Sequence, residues 1–158
     1  MQFLFFGIFV LGAVTLDQWT KYLVVEQIPL FGHVDAIPGL FHLTYVQNTG
    51  AAFSSFEGMR WMFVALFAVL TVAMAYEYFK KPMPFNKFER WCLAAVYAGG
   101  LGNVIDRLRF GYVVDMIAVD FMEFAVFNVA DCFITCGAIA MMISLIFFNK
   151  NFWKEEKK

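Results

Sequence analysis

The hydrophobic positions of this chain fall into four long segments separated by polar or mixed stretches. The segments cover residues 3–25, 59–79, 88–107 and 131–148. Each approaches the roughly 20 apolar residues that a helix needs to cross a bilayer. One such segment alone is compatible with a buried helix of a soluble protein, whereas four in 158 residues are not. The pattern predicts an all-α integral membrane protein, with residues 1–158 forming a single membrane domain of four transmembrane helices.

The link between the first two segments, residues 28–58, contains the pattern of a short strand. Residues 41–46 alternate in part between apolar and polar side chains and are rich in β-forming residues. Turn-forming residues precede this run, namely Pro29, Gly32, Pro38 and Gly39. We therefore predict a small extracytoplasmic β-sheet beside the helices.

Lysine and arginine are distributed unevenly between the links. The link after the second segment and the C-terminal tail hold Lys80, Lys81, Lys87, Arg90, Lys150, Lys154, Lys157 and Lys158, whereas residues 28–58 hold none. Because positive charges favour the cytoplasmic side, both termini are predicted to be cytoplasmic and residues 28–58 to face outward. A cleaved signal peptide is the alternative for the first segment, but that segment lacks a basic start and a cleavage pattern.

Composition supports the membrane prediction. Apolar residues make up 61% of the chain, against about 45–50% in ordinary soluble domains. The net charge is −1, and the absence of a basic stripe or nucleic-acid motif argues against a nucleic-acid partner. The three cysteines, Cys92, Cys132 and Cys136, lie in apolar runs without metal-ligand spacing. We therefore expect buried thiols, no metal and no cofactor.

Two aspartates stand out because ionisable side chains are costly at membrane depth and usually carry function. Asp115 follows two valines, and Asp131 ends the run Phe127-Asn128-Val129-Ala130-Asp131. The chain between them is short enough to bring their carboxyl groups together. Two neighbouring carboxyls share one proton, so the charged one can take a proton from water while the neutral one polarises a carbonyl. The pair predicts an aspartic hydrolase.

Asp131 has a second interpretation. Asn128 is a strong helix N-cap, and an acidic residue three positions later is typical of a capping box. The sequence alone does not choose between a capping and a catalytic role for Asp131. Asp115 has no such alternative, although Asp120 and Glu123 are rival partners for it.

Two polar motifs precede the third segment. Asp17 and Lys21 are four residues apart on one helix face, which favours a structural ion pair over direct contact with a substrate or a lipid headgroup. The run Gln47-Asn48-Thr49-Gly50-Ala51-Ala52-Phe53 is typical of a turn, in which Gly50 allows a close backbone approach. Asn48 is alternatively placed to bind an extended peptide.

The third segment ends in the run Gly99-Gly100-Leu101-Gly102-Asn103, followed by Asp106 and Arg107. Small residues at helical spacing favour close helix packing in a membrane. Asn103 and Asp106 share a helix face, whereas the neighbours Asp106 and Arg107 are expected to take separate partners. We interpret this run as support for the site rather than as part of the chemistry.

Taken in order, these motifs resemble the bacterial lipoprotein signal peptidase (signal peptidase II) family over nearly the whole chain. Each motif is modest alone, but five in this order between four apolar segments are specific. They are Asp17-Gln18-Trp19-Thr20-Lys21, Gln47-Asn48-Thr49-Gly50-Ala51-Ala52-Phe53, Gly99-Gly100-Leu101-Gly102-Asn103-Val104-Ile105-Asp106-Arg107, Val113-Val114-Asp115 and Phe127-Asn128-Val129-Ala130-Asp131.

The resemblance implies four transmembrane helices, an extracytoplasmic β-cradle and an aspartic dyad of Asp115 and Asp131. It implies removal of signal peptides from prolipoproteins by cleavage before a diacylglyceryl-modified cysteine, with substrate entering sideways from the bacterial cytoplasmic (inner) membrane. The partners would be that substrate and membrane lipid, and a monomer suffices. Supporting or substrate-binding positions would be Asp17, Lys21, Asn48, Gly50, Ala51, Gly99, Gly102, Asn103, Asp106, Arg107, Asn128 and Ala130.

Two positions depart from the family pattern. Met116 stands where phenylalanine is usual, and Cys132 stands where serine is frequent. Both flank the dyad without replacing it. The rival function from another class is a small channel or transporter subunit that uses intramembrane acids, and a third is an inert scaffold. The acids cluster toward the outer face rather than along the membrane depth, which favours hydrolysis.

Overall fold

The computed structural model describes residues 2–50, 56–79, 83–149 and 152. Within them the chain forms four α-helices and three β-strands. The helices are α1 (Gln2–Gln27), α2 (Arg60–Phe79), α3 (Lys87–Phe110) and α4 (Val129–Ile143), with α4 continuing as a π-helical segment, Ser144–Phe148. The strands are β1 (His33–Ile37), β2 (Phe41–Asn48) and β3 (Val113–Val119). Helix α3 packs against each of the other three helices.

The local sequence determines where α3 and α4 begin. Asn86 and Glu89 form a reciprocal capping box at the start of α3, and Asn128 and Asp131 form another at the start of α4. Helix α3 ends at Gly111, which adopts a left-handed φ of 86° and donates its N–H to the Arg107 carbonyl. This stop turns the chain directly into β3.

The three strands form one antiparallel sheet in the order β1-β2-β3. The strand predicted at residues 41–46 is confirmed and extends to Asn48. Strand β3 was not predicted, because its six apolar residues are all buried or half-buried around a single aspartate and show no alternation. In the register, Val46 lies opposite Asp115 and Asn48 opposite Val113. The sheet therefore carries one of the two aspartates singled out by the sequence.

The helices expose apolar side chains and bury polar ones. Large apolar residues that are more than half exposed include Leu4, Phe5, Leu11, Leu66, Val69, Val72, Ile146, Phe147 and Phe148. An apolar exterior of this extent is typical of a surface that faces lipid rather than water. In the described residues, Leu4–Gln27 and Val129–Phe148 are each long and apolar enough to cross a membrane, and Arg60–Tyr76 is a shorter apolar helix.

The outward-facing helices also correct one expectation about the cysteines. Cys92 is buried, but Cys132 is half-buried and Cys136 is exposed. The apolar run that contains Cys136 does not enter a core because this face of α4 points away from the bundle. All three thiols are free.

A buried carboxylate joins α3 to the end of the fourth helix, at the opposite end of α3 from β3. Glu89 is fully buried and accepts hydrogen bonds from Asn86, Ser144 and Asn149. The Asn149 amide lies 2.6 Å from Glu89 Oε2, and the Ser144 hydroxyl lies 2.8 Å from Oε1. These donors are all neutral, and together they satisfy the buried carboxyl group.

Close packing between α3 and α4 depends on Gly99. A Cβ atom at this position would overlap the carbonyl oxygen of Ala130 and lie 2.8 Å from the Ile134 side chain. We expect Gly99→Ala to force the two helices apart and to lower the thermal unfolding temperature in detergent. The matched control is Gly12→Ala on α1, where an added Cβ meets nothing within 4 Å. Equal stability of the two variants would contradict this packing argument.

Candidate active site

Asp115 and Asp131 are brought together by one asparagine. The Asn128 amide nitrogen donates to Asp115 Oδ1 at 2.6 Å. The backbone N–H of Asn128 donates to Asp131 Oδ2 at 3.1 Å, and Asn128 Oδ1 accepts from the Asp131 N–H at 3.0 Å. Because both carboxylates bind the same residue, they lie side by side at the start of α4.

The two interpretations of Asp131 are compatible because they use different oxygen atoms. Oδ2 closes the capping box with Asn128. Oδ1 accepts from the Asn103 amide nitrogen at 2.8 Å, which links α4 to α3. Asp131 as a residue is half-buried, in contrast to the buried Asp115.

Asp115 lies in a drier environment. Its side chain sits on β3 with only 3% of the residue exposed. The Asn48 amide nitrogen donates to Oδ2 at 2.8 Å. Burial raises the pKa of Asp115 from 3.8 to about 6, the charge of Asp131 adds to this rise, and the hydrogen bonds from Asn48 and Asn128 oppose it.

A buried ion cluster lies directly beneath the two aspartates. Lys21 is 3% exposed, and its Nζ lies 2.9 Å from Asp17 Oδ2 and 2.9 Å from Asp106 Oδ2. The same Nζ donates to Asn103 Oδ1 at 3.0 Å. The predicted Asp17–Lys21 ion pair is confirmed, and Asp106 from α3 completes it. Removing one member of such a cluster is costly because it leaves an unpaired buried charge.

The ion cluster holds the backbone on both sides of the site. Asp17 Oδ1 accepts from the Ala130 N–H at 2.9 Å, immediately before Asp131. Asp106 Oδ2 accepts from the Val114 N–H at 3.1 Å, immediately before Asp115. The two carboxylates paired with Lys21 therefore also fix the main chain next to the two candidate catalytic residues.

Gln18 belongs to this cluster and was missed as a site residue. Its amide nitrogen donates to Asp106 Oδ1 at 2.8 Å and to the Gly102 carbonyl at 3.3 Å. The available signal was its place between Asp17 and Lys21 in an otherwise apolar helix. Gly102 is needed here because an added Cβ would lie 2.6 Å from Asp17 Oδ2.

Asp106 and Arg107 take separate partners, as predicted. Arg107 points away from the ion cluster and donates to the Gly50 carbonyl at 2.7 Å. Its guanidinium also stacks over the Phe63 ring at 4.3 Å from the ring centre. Arg107 thus ties α3 to the turn after β2 and to α2. Ala51, the next predicted position, lies outside the described residues.

The rival acids are not placed against Asp115. Asp120 lies 2.6 Å from the Nδ1 atom of His42 at the exposed end of the sheet. Glu123 is exposed in the loop that follows. Within the residues described, no group of three or more histidine, cysteine or acidic side chains is arranged to bind a metal ion.

The arrangement binds two carboxyl groups to one asparagine, so that the charge of one acid affects the protonation of the other. A buried acid, a half-buried acid and three amide side chains meet at one end of an apolar helix bundle. Paired carboxyls of this kind perform general acid and base chemistry in aspartic peptidases. An apolar helix bundle that carries two neighbouring acids matches the architecture expected of a membrane enzyme of the aspartic peptidase class.

Comparison with known proteins agrees with this class. The family described as Signal peptidase (SPase) II matches residues 9–147. A lipoprotein signal peptidase of Streptococcus thermophilus (strain CNRZ 1066) is 43% identical over 147 residues, covering 93% of this chain and 91% of that protein. One of Streptococcus pyogenes serotype M2 (strain MGAS10270) is 44% identical over 143 residues, covering 90% and 89%.

Solved structures of bacterial membrane enzymes share the fold of this chain. A bacterial membrane enzyme determined by the in meso method aligns with a TM-score of 0.84 at 30% identity, covering 92% of this chain and 90% of that one. A second aligns with a TM-score of 0.80 at 30% identity, covering 90% and 93%. The chain belongs to the signal peptidase II family. The channel or transporter alternative finds no support in these relatives.

The raised pKa of Asp115 makes stability depend on pH. The folded protein keeps the Asp115 proton up to about pH 6, whereas the unfolded chain loses it near 3.8. Wild-type stability therefore falls across this window as pH rises, by about 3 kcal/mol for a shift of about two pKa units. We expect the free energy of unfolding of Asp115→Asn, relative to that of wild type, to increase by about 3 kcal/mol between about pH 4 and about pH 7.

Unfolding temperatures in detergent across this pH range measure the effect. Gly12→Ala, which changes no titratable group, should parallel the wild type. A constant difference between Asp115→Asn and wild type would show that the Asp115 carboxyl titrates at the same pH when folded and unfolded.

Proposed function

We propose that this protein is an aspartic endopeptidase that removes signal peptides from prolipoproteins, with Asp115 and Asp131 as the catalytic dyad. The observation that carries the assignment is the convergence of both carboxylates on Asn128. The relatives described above are named lipoprotein signal peptidases, which supports the substrate class. The family resemblance of the motifs further supports cleavage just before a diacylglyceryl-modified cysteine.

The chemistry requires one ionised and one protonated carboxyl. The ionised carboxylate removes a proton from water while the water oxygen attacks the scissile carbonyl carbon. The protonated carboxyl donates to the carbonyl oxygen and stabilises the tetrahedral intermediate. Collapse of this intermediate breaks the C–N bond, and a proton passes from the dyad to the departing amine.

The neighbouring polar residues support this reaction in distinct ways. Asn48, Asn103 and Asn128 donate to the dyad. Arg107 holds the Gly50 carbonyl and so shapes the turn that faces the site. In this proposal Asp17, Lys21, Asp106, Gly99, Gly102 and Ala130 maintain the geometry.

The same proposal places the four helices across the bacterial cytoplasmic membrane as one domain, with both termini in the cytoplasm. The sheet and the dyad lie at one end of the bundle, and Glu89 lies at the other end of α3 beside the basic link. The positive-inside rule then puts the dyad at the extracytoplasmic face. Substrate enters from the bilayer as a lipid-anchored helix, and a monomeric peptidase suffices.

The exposed apolar helix faces fit such a substrate. A signal peptide is an apolar segment, and hydrocarbon-facing helices accept it without exposing backbone polar groups to lipid. The dyad lies where the sheet meets α4, at the edge of this apolar surface. In this proposal an extended segment beside the signal helix is the part of the substrate that is cleaved.

We expect Asp115→Asn and Asp131→Asn each to reduce cleavage by at least about 10³-fold, because an amide neither removes a proton from water nor shares one with its partner. The assay is the gel shift of a purified diacylglyceryl-modified prolipoprotein on incubation with each variant in detergent. Asp120→Asn is the matched control, since Asp120 pairs with His42 away from the dyad. Normal turnover by either dyad variant would refute the assignment.

A further inference from the structure

Three asparagines aim their side-chain amides at the dyad. Asn48 and Asn128 donate to Asp115 at 2.8 and 2.6 Å, and Asn103 donates to Asp131 at 2.8 Å. An asparagine side chain has a donor end and an acceptor end of nearly the same shape. Whatever binds the oxygen of each amide therefore decides which end faces the dyad.

Two of these amides are oriented by the local backbone. Asn48 Oδ1 accepts from the Gly50 N–H at 2.9 Å. Asn128 Oδ1 accepts from the Asp131 N–H at 3.0 Å. Asn103 differs, because its Oδ1 accepts from Lys21 Nζ on another helix at 3.0 Å. A lysine ammonium only donates, so Asn103 must turn its oxygen to Lys21 and its NH2 group to Asp131.

We propose that Lys21 is a positioning residue that acts through Asn103: it fixes the side-chain amide of Asn103 so that the NH2 group stabilises the charged form of the dyad. This inference rests on the function proposed above. Both Asp131 oxygens accept from N–H donors, Asn103 Nδ2 and the Asn128 backbone. Hydrogen bonds of this kind favour the charged form of a carboxyl. Asp115 also accepts from two amide donors, Asn48 and Asn128, so the effect of Asn103 belongs to the pair of carboxyl groups as a whole.

Other charges near the dyad act more diffusely. The titratable and charged groups that surround it are Asp17 and Lys21 from α1, Asp106 and Arg107 from α3, and Cys132 from α4. Arg107 donates to the backbone oxygens of Gly50 and Asn103 and does not contact the side-chain amide of Asn103. Lys21 is therefore the buried cation that orients the Asn103 side-chain amide toward Asp131.

The test compares pH profiles of kcat/KM for cleavage of a diacylglyceryl-modified prolipoprotein in detergent. Lys21→Met/Asp106→Asn removes the donor to Asn103 and leaves the net charge of the cluster unchanged. We expect its acidic limb to move to higher pH by about one unit relative to wild type, with partial recovery of rate above neutral pH. Asp106→Asn alone keeps Lys21 and is the control.

Asn103→Ala should show the same displacement of the acidic limb. When Asn103 is already alanine, adding Lys21→Met/Asp106→Asn should produce little further displacement, because coupled residues are not additive. Gln18→Met loosens the same ion cluster without touching Asn103, so it should lower stability and leave the limb in place.

The outcomes separate cleanly. A wild-type pH profile of kcat/KM for Asn103→Ala would overturn the proposal. This measurement is decisive even if a Lys21 variant does not fold. A full, additive displacement from the Lys21 change in the Asn103→Ala background also overturns it, since Lys21 would then act without the amide. Failure of the wild-type protein to cleave the lipidated precursor would instead refute the proposed function.

Discussion

The structure depends on the pairing of one buried lysine with two buried carboxylates. Lys21 joins Asp17 of its own helix to Asp106 of α3, and a cation in this position is tolerable only when it is paired. The same carboxylates hold the N–H groups of Ala130 and Val114. The interaction that makes a charged bundle interior stable is therefore also the one that fixes the main chain beside the dyad.

This arrangement follows from an exterior that is apolar and an interior that is polar. Lipid offers no hydrogen bonds, so polar groups inside the bundle must satisfy one another. In the described part of the chain, every buried side-chain nitrogen or oxygen atom has a partner. Gly99 and Gly102 allow this by letting α3 approach Ala130 and Asp17 closely. Small residues and buried charges are thus two parts of one packing solution.

The proposed dyad is divided between the two layers of the fold. Asp115 belongs to the sheet and Asp131 to a helix, and Asn128 joins them at the corner where β3 and α4 meet. Asn48, on the neighbouring strand, holds Asp115 from the other side. The separation of the two carboxyls is therefore set by how the sheet rests on the bundle, and Arg107 stabilises that contact through Gly50.

The sequence by itself determined the helices, the strand at residues 41–46, the Asp17–Lys21 pair, both capping residues of α4 and the two aspartates. These features depend on local spacing, propensity and the cost of a charge in an apolar chain. Strand β3 was not predicted, because a buried strand has no alternating pattern. The role of Gln18 was not predicted either. Only the tertiary structure decided which partner each polar group takes. The choice of Asp106 for Lys21, of Asn103 for Asp131 and of His42 for Asp120 requires segments far apart in the chain to meet, and no local pattern encodes that meeting.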